Sequence, residues 1–226
     1  MSESMFSLCG KKILITGASS GLGASAASLC AQEGASLVVT GRDEARLSSV
    51  FDALPGNSHE AHVCDLSCGD QVLEFADVLP KLDGLVFCAG LTKTIPAKFI
   101  KCDDISEIFS VNAFSSFILL QALLKKKKIN AKGSVVFVSS ISTTYADKGN
   151  SIYAASKGAL NSFSKVLALE LSAKGIRSNC IEPGFVPTGM LAAGVVSEDQ
   201  LEEERKRYPL GFGDPEDIAS GILYLL

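Results

Sequence analysis

Tyr153 and Lys157 stand four residues apart in Tyr153-Ala154-Ala155-Ser156-Lys157, a spacing that stacks two side chains on one face of a helix. A phenol keeps its proton to about pH 10, and a nearby ammonium stabilises the phenolate and draws that pKa toward working pH. Such a pair can protonate an alkoxide as it forms. Taken alone, the two are also what an amphipathic surface helix would carry. Ser140 lies thirteen residues before Tyr153, directly after the apolar run Val135-Val136-Phe137-Val138-Ser139, where its hydroxyl can donate to a carbonyl. Asn112, in Ser110-Val111-Asn112-Ala113, falls inside an expected helix, and a short amide is a mediocre helix former. It is either solvent-facing or retained for a task, with a carbonyl able to order a water that reaches Lys157.

A second chemistry sits near the N-terminus. Ile13-Leu14-Ile15-Thr16 runs into Gly17-Ala18-Ser19-Ser20-Gly21-Leu22-Gly23 and then an Ala/Ser-rich segment. Glycines let backbone approach a pyrophosphate, and the helix that follows offers free N–H groups and a positive dipole end. The G-x-x-x-G-x-G spacing is wider than the G-x-G-x-x-G dinucleotide fingerprint and lacks the Lys of a P-loop. About 20 residues further on, where a dinucleotide fold meets the adenosine ribose, stands Thr40-Gly41-Arg42-Asp43. Gly41 removes the acidic acceptor that selects NAD, and Arg42 supplies a guanidinium suited to a 2′-phosphate, so NADP(H) is favoured over NAD(H). The competing reading is a solvent-facing Arg42, with Asp43 pairing elsewhere. Asp65-Leu66 is placed to meet the adenine edge, or Asp65 caps a helix.

These residues require a frame that brings strand ends together. Short β-rich runs alternate with helical segments, the pattern of a parallel sheet with crossover helices. Strands are expected at Lys12–Thr16, Ser36–Thr40, His59–Cys64, Gly84–Cys88, Gly133–Ser139 and Arg177–Ile181, several of them apolar on consecutive residues because both faces are covered. Helices are expected at Gly21–Glu33, Glu44–Leu54, Gly69–Leu79, Asp103–Lys127, Tyr153–Ala173 and Pro215–Leu226. The fold class is α/β: one Rossmann-like, doubly wound parallel sheet with helices on both faces, filling a single domain over 1–226. Residues 189–208, rich in charge toward their end, are expected to form a substrate flap or a solvated surface helix. Lys125–Lys128 reads as a solvated helix end whose cations complement the dipole.

Composition narrows the classes further. With 47% hydrophobic and 20% charged residues the chain is globular rather than disordered. A net charge of -4 offers no global positive field, which argues against nucleic acid as the main partner. Seven scattered cysteines fit buried thiols in a reducing cytoplasm better than a disulfide framework. Cys64 and Cys68 lie near only His59 and His62, too little for a tetrahedral metal site, so no metal is expected. The start is too polar for a signal peptide, and no apolar run is expected to reach a membrane span of roughly 20 residues.

From Lys11 to Leu226 the sequence resembles the short-chain dehydrogenase/reductase family, most like its 3-oxoacyl-(acyl-carrier-protein) reductases. The motifs, in the family's order, are TGASSGLG, a CAG where NNAG is common, VN at Val111-Asn112, SS at Ser139-Ser140, YAASK, and PGFVPT at Pro183–Thr188. The resemblance implies a catalytic tetrad of Asn112, Ser140, Tyr153 and Lys157, with Tyr153 and Lys157 also meeting the cofactor and Lys157 holding its nicotinamide ribose. It implies cofactor contacts from Gly17, Ser19, Gly21, Leu22, Gly23, Arg42, Asp65, Leu66, Ala89 and Gly90, and carboxamide contacts from Val186 and Thr188. Expected is a hydride transfer between NADP(H) and a carbonyl or secondary alcohol, with a 3-oxoacyl thioester on acyl carrier protein as the leading substrate. Sugar, steroid and polyol dehydrogenases share the pattern, and a non-catalytic NADP-binding sensor or scaffold is the alternative from another class. A homotetramer or dimer built on the long helices is also implied. If the carrier reading holds, Lys125–Lys128 with Lys132 would steer the acidic carrier toward the active-site edge.

The chain departs from the family at three points. Phe87-Cys88 replaces the usual Asn-Asn, removing an amide that ties neighbouring strands, and a packing compensation is expected. Ser20 stands where many NADP-preferring members carry a basic residue. The sequence ends in what reads as the helix before the family's last strand, so that strand is expected to be absent.

Overall fold

The computed structural model describes residues 5–188, 202 and 205–226. Six strands form one sheet: β1 (Lys12–Thr16), β2 (Ser36–Gly41), β3 (Glu60–Val63), β4 (Leu82–Phe87), β5 (Ile129–Val138) and β6 (Arg177–Ile181). They run in the order β3-β2-β1-β4-β5-β6, every neighbouring pair parallel. The strand order reverses between β1 and β4, and beyond the carboxyl ends of these two strands a crevice must open.

Helices α1 (Gly21–Gln32), α2 (Glu44–Asp52) and, near the end, α7 (Pro215–Leu225) cover one face. On the other lie α3 (Gly69–Val78), α5 (Ser115–Lys125) and α6 (Ser151–Glu170), with α4 (Cys102–Phe109) leading into α5. Alternate strand residues divide between the two cores. Leu14, Val38, Leu85 and Phe137 pack toward α3, α5 and α6, whereas Ile15, Leu37, Val86 and Val136 pack toward α1 and α7. Two covered faces account for consecutive apolar residues in the strands.

Two elements differ from the sequence expectation. β5 starts at Ile129 rather than Gly133, because a bulge lets Ile129 pair with Leu82 before the register resumes at Gly84 and Ser134. Lys132 takes φ 62 inside that bulge, and a Cβ on Gly133 would lie 2.9 Å from the Asp83 carbonyl oxygen, so the irregularity is tightly packed. The single helix expected over Asp103–Lys127 is broken by a π-helical turn at Ser110–Phe114, between α4 and α5. By length and composition alone Cys102–Lys125, with mean hydropathy 1.5, could cross a membrane, contrary to the expectation that no run approaches such a span. Leu119, Leu120 and Leu123 are nevertheless fully buried in the core between the sheet and neighbouring helices, and Ile108 is fully buried as well, which makes this stretch a core element.

Lys125–Lys127 are exposed at the end of α5, as a solvated helix end should be, and the last lysine of the run is structural. Lys128 Nζ donates to the carbonyls of Ala76 (3.1 Å), Asp77 (2.7 Å) and Leu79 (2.5 Å), capping α3, and Lys126 pairs with Asp77. Within one chain the run precedes β5, at the amino edge of the sheet, and β5 spans about 30 Å to Ser140 at the other end. Lys125–Lys128 and Lys132 therefore do not flank the chain's own active-site edge, correcting the steering expectation. Most of the expected flap, 189–201 and 203–204, lies outside the described residues. Its far end is tied down by a 2.8 Å pair between Arg207 and Asp147 and by Phe185, Tyr208 and Phe212 packed together.

Candidate active site

The crevice at the β1/β4 switch point is walled by every residue that the sequence nominated for a cofactor or catalytic role except Asn112, which lies just behind it. Its phosphate end is the β1–α1 turn. Gly17 sits at φ 67, and a Cβ there would lie 2.7 Å from the Ala89 backbone. A Cβ at Gly23 would lie 2.3 Å from the Gly17 carbonyl oxygen. Neither position has room for a side chain, and the backbone of the turn and the first N–H groups of α1 are left open toward the crevice. Ser19, Gly21 and Leu22 complete the loop; across from Gly21 stands Thr188, whose Cβ would be 3.2 Å from an added methyl.

At the ribose end Asp43 caps α2 by accepting from Arg46 N at 3.0 Å and pairs with Arg46 Nε at 3.1 Å. Arg42, exposed beside it, makes no hydrogen bond or ion pair among the described residues and lines the crevice. Asp65 accepts from Ser67 N (2.9 Å) and Ser67 Oγ (2.7 Å), bonds that hold its carboxyl below the usual range. It thus both shapes the turn before α3 and faces the crevice next to Leu66. A cradle that excludes side chains and a helix N-terminus in one crevice fit the pyrophosphate of a nicotinamide dinucleotide, with Arg42 at its ribose end.

The other end holds the acid–base chemistry. Ser140 follows β5 and accepts a hydrogen bond from Ser142 N at 3.1 Å, while its own hydroxyl is turned to Tyr153. Burial raises the Tyr153 pKa above the ordinary phenol value, and the Ser140 hydroxyl beside it partly offsets this. Lys157 is buried, which lowers its pKa to about 8. Its Nζ donates to the Val138 carbonyl at 2.8 Å and stands 5.7 Å from the Tyr153 ring centre. In this state burial outweighs the Ser140 hydroxyl at Tyr153, and Lys157 aims an N–H at Val138 of β5, so the expected downward pull of the cation on the phenol is not seen. Gly90 is where these groups converge, since a Cβ there would lie 3.2 Å from Lys157 Nζ and 3.6 Å from Asn112 Oδ1.

Asn112 is fully buried in the π-helical turn rather than solvent-facing. Its Oδ1 accepts from Leu91 N at 2.7 Å, while Nδ2 donates to Leu91 O and to Ser156 Oγ, each at 2.9 Å. With both amide hydrogens and one acceptor site engaged, the side chain braces the crevice wall, and Oδ1 keeps a second acceptor site.

Sequence reasoning missed Arg46, which lines the ribose end, and the partners Leu91, Ser156 and Val138. Arg46 was legible as the third residue of a helix capped by Asp43, in the first turn beside the ribose end. The backbone carbonyls of Leu91 and Val138 leave no trace in residue type. At the unusual Phe87-Cys88, Phe87 stacks on Phe137 of β5 with ring centres 5.0 Å apart, and Ala89 N reaches Thr16 Oγ1 at 3.4 Å. Stacking thus ties β4 to β5 at this point, the packing compensation expected for Phe87-Cys88.

The family model described as short chain dehydrogenase matches residues 11–198. The chain is 33% identical over 222 residues to the 3-oxoacyl-(acyl-carrier-protein) reductase FabG of Rickettsia felis, covering 98% of this chain and 91% of that protein. The corresponding enzyme of Thermotoga maritima is 34% identical over 224 residues, 96% of this chain and 90% of that one. Among solved structures, a short-chain type dehydrogenase/reductase from Mycobacterium marinum superposes with a TM-score of 0.89 at 28% identity, covering 98% and 90%. A Beutenbergia cavernae protein described as an NAD(P)-dependent gluconate 5-dehydrogenase, with NADP bound, gives 0.85 at 29%, covering 98% and 91%. With this match, and with the glycine turn and the Ser140, Tyr153 and Lys157 cluster in one crevice, the chain belongs to the short-chain dehydrogenase/reductase family of oxidoreductases.

Proposed function

We propose that the protein is an NADP(H)-dependent reductase of carbonyl compounds, with 3-oxoacyl thioesters as the leading substrate class. The observation that carries this reading is one crevice with Arg42 at its ribose end and the Ser140, Tyr153 and Lys157 cluster at the other. Reduced nicotinamide, bound there, supplies the hydride. Ser140 donates its hydroxyl hydrogen to the substrate oxygen, which polarises the carbonyl, and Tyr153 Oη delivers the proton that turns the developing alkoxide into an alcohol. A phenol whose pKa is raised by burial keeps its proton at working pH, which suits it to the reducing direction. Lys157 is protonated below about pH 8 and places a positive charge behind that transfer.

The substrate class rests on relatives named as 3-oxoacyl-(acyl-carrier-protein) reductases. The gluconate 5-dehydrogenase description of one structural neighbour favours a second reading, a sugar-acid or polyol dehydrogenase of the same family. Residues 1–226 are read as one domain in which the crevice and the 189–208 flap act together, in a cytoplasmic setting suited to seven free thiols. The test is reduction of a 3-oxoacyl thioester, a free β-keto ester and 5-keto-gluconate, followed as loss of NADPH. Preferential turnover of the thioester supports the first reading and preferential turnover of the keto-acid the second. NADPH binding without turnover of any carbonyl would leave the protein a sensor or scaffold.

A further inference from the structure

We propose that Ser156 is a positioning residue that locks the proton-delivering turn of α6 to the loop beneath the nicotinamide end of the crevice; this rests on the reductase reading above. Ser156 lies between Tyr153 and Lys157 and is fully buried. Its Oγ donates to the Tyr153 carbonyl at 2.7 Å and accepts from Asn112 Nδ2 at 2.9 Å. Asn112 carries the link onward through two bonds to the backbone of Leu91. One hydroxyl therefore joins three segments far apart in sequence: the turn of α6 that bears Tyr153, the π-helical turn, and the loop Cys88–Leu91 that lines the crevice.

The hydrogen-bond inventory leaves no slack. Both hydrogens of the Asn112 amide are spent, one on Leu91 O and one on Ser156 Oγ, and the single Ser156 hydrogen is spent on Tyr153 O. A serine that only bonds back into its own helix would satisfy itself locally. Here the oxygen is also the acceptor for a second element. Without it, a buried amide hydrogen on Asn112 has no partner, a state costly enough to favour rotation of the amide. Rotation breaks the two Leu91 bonds as well, so the loop near Gly90 and Lys157 and the turn bearing Tyr153 lose their common reference.

The test compares wild type, Ser156→Ala and Ser156→Thr, which keeps the hydroxyl. In Ser156→Ala, kcat is expected to fall about 10-fold, as a small misplacement of a proton donor produces, with substrate KM and NADPH affinity changed less than about 2-fold. Ser156→Thr is expected to recover at least part of the loss. Hydrogen exchange at the Leu91 amide, measured without substrate, is expected to quicken in Ser156→Ala beyond any change at α1 or α7. A kcat per folded molecule equal to wild type would overturn the proposal, and so would an unchanged Leu91 exchange rate. A wild type inert toward every carbonyl would sink the reductase reading, while the Leu91 exchange, read on the same samples, would still decide for or against the brace.

Discussion

Because Asp43 spends its carboxylate on Arg46 and on the first turn of α2, Arg42 is left without an ion pair among the described residues and stands at the ribose end near Asp65. A charge-assisted pair with a 2′-phosphate is worth roughly 1.5–3 kcal/mol, so Arg42→Ala should weaken NADPH binding about 10- to 150-fold while NADH changes little. Fluorescence titration of the two cofactors measures this, and an equal loss for both would assign Arg42 a structural role. Converting preference by an acid at Gly41 meets an obstacle, since a Cβ there would lie 2.9 Å from Ser19 Oγ in the phosphate loop. Lys157 offers a second check at this scale. Its burial lowers the pKa to about 8 from 10.5, so between these values the unfolded chain holds a proton that the folded chain lacks, and this group makes stability rise with pH across that window. In cofactor-free protein the Lys157 ammonium, followed by lysine NMR, should titrate near 8; a midpoint near 10.5 would show that burial is not felt. Residue types and spacing made Ser140, Tyr153, Lys157 and Arg42 legible without a structure. The direction of the Tyr153 shift was not, because it depends on how much water the folded chain removes, and spacing along a helix carries no such information.

Strand and helix order followed from apolar runs and their periods, and the two-sided core explains why that reading succeeded. The π-helical turn did not follow, since apolar periodicity continues through Ser110–Phe114. Its determinants are the Asn112 partners Leu91 and Ser156, 21 and 44 residues away in sequence. The Lys125–Lys128 run shows the limit in part: Lys125, Lys126 and Lys127 are exposed as a solvated helix end should be, while Lys128 closes α3 from across the fold. Lys128→Ala leaves three terminal carbonyls without their cation and should lower stability by about 1–3 kcal/mol. Urea denaturation should show this as a lower midpoint at unchanged slope, with kcat/KM for a small ketone unaltered. A large loss of kcat/KM at full folding would instead return the run to the active site.

For the whole molecule, the α4 to α6 side presents apolar residues to solvent, including Ile105 at 44%, Phe114 at 48%, Val166 at 54% and Leu169 at 78% exposure. These helices are those on which the family resemblance places subunit contacts, and an apolar residue exposed on such a face is what an interface would cover. Self-association through this face is expected to give a dimer or tetramer by light scattering, and Val166→Glu with Leu169→Glu should shift the mass toward the monomer. A wild-type monomer at micromolar concentration would refute it. At this scale the parallel sheet and its two helix layers were legible because strand and helix segments alternate along the chain, whereas the strand order came from the structure. The substrate was not, since no motif in Thr92–Phe99 or in 189–208 specifies one.

The claim on which the account turns is that Tyr153 delivers the proton in an NADPH-dependent carbonyl reduction. Tyr153→Phe removes the transferable proton and keeps the ring. Single-turnover mixing of NADPH-loaded enzyme with a 3-oxoacyl thioester, wild type against Tyr153→Phe at matched NADPH saturation, measures it most directly. The account predicts rapid NADPH oxidation by the wild type and a rate at least about 100-fold lower in the variant, with NADPH affinity preserved. Oxidation by Tyr153→Phe at the wild-type rate would contradict it.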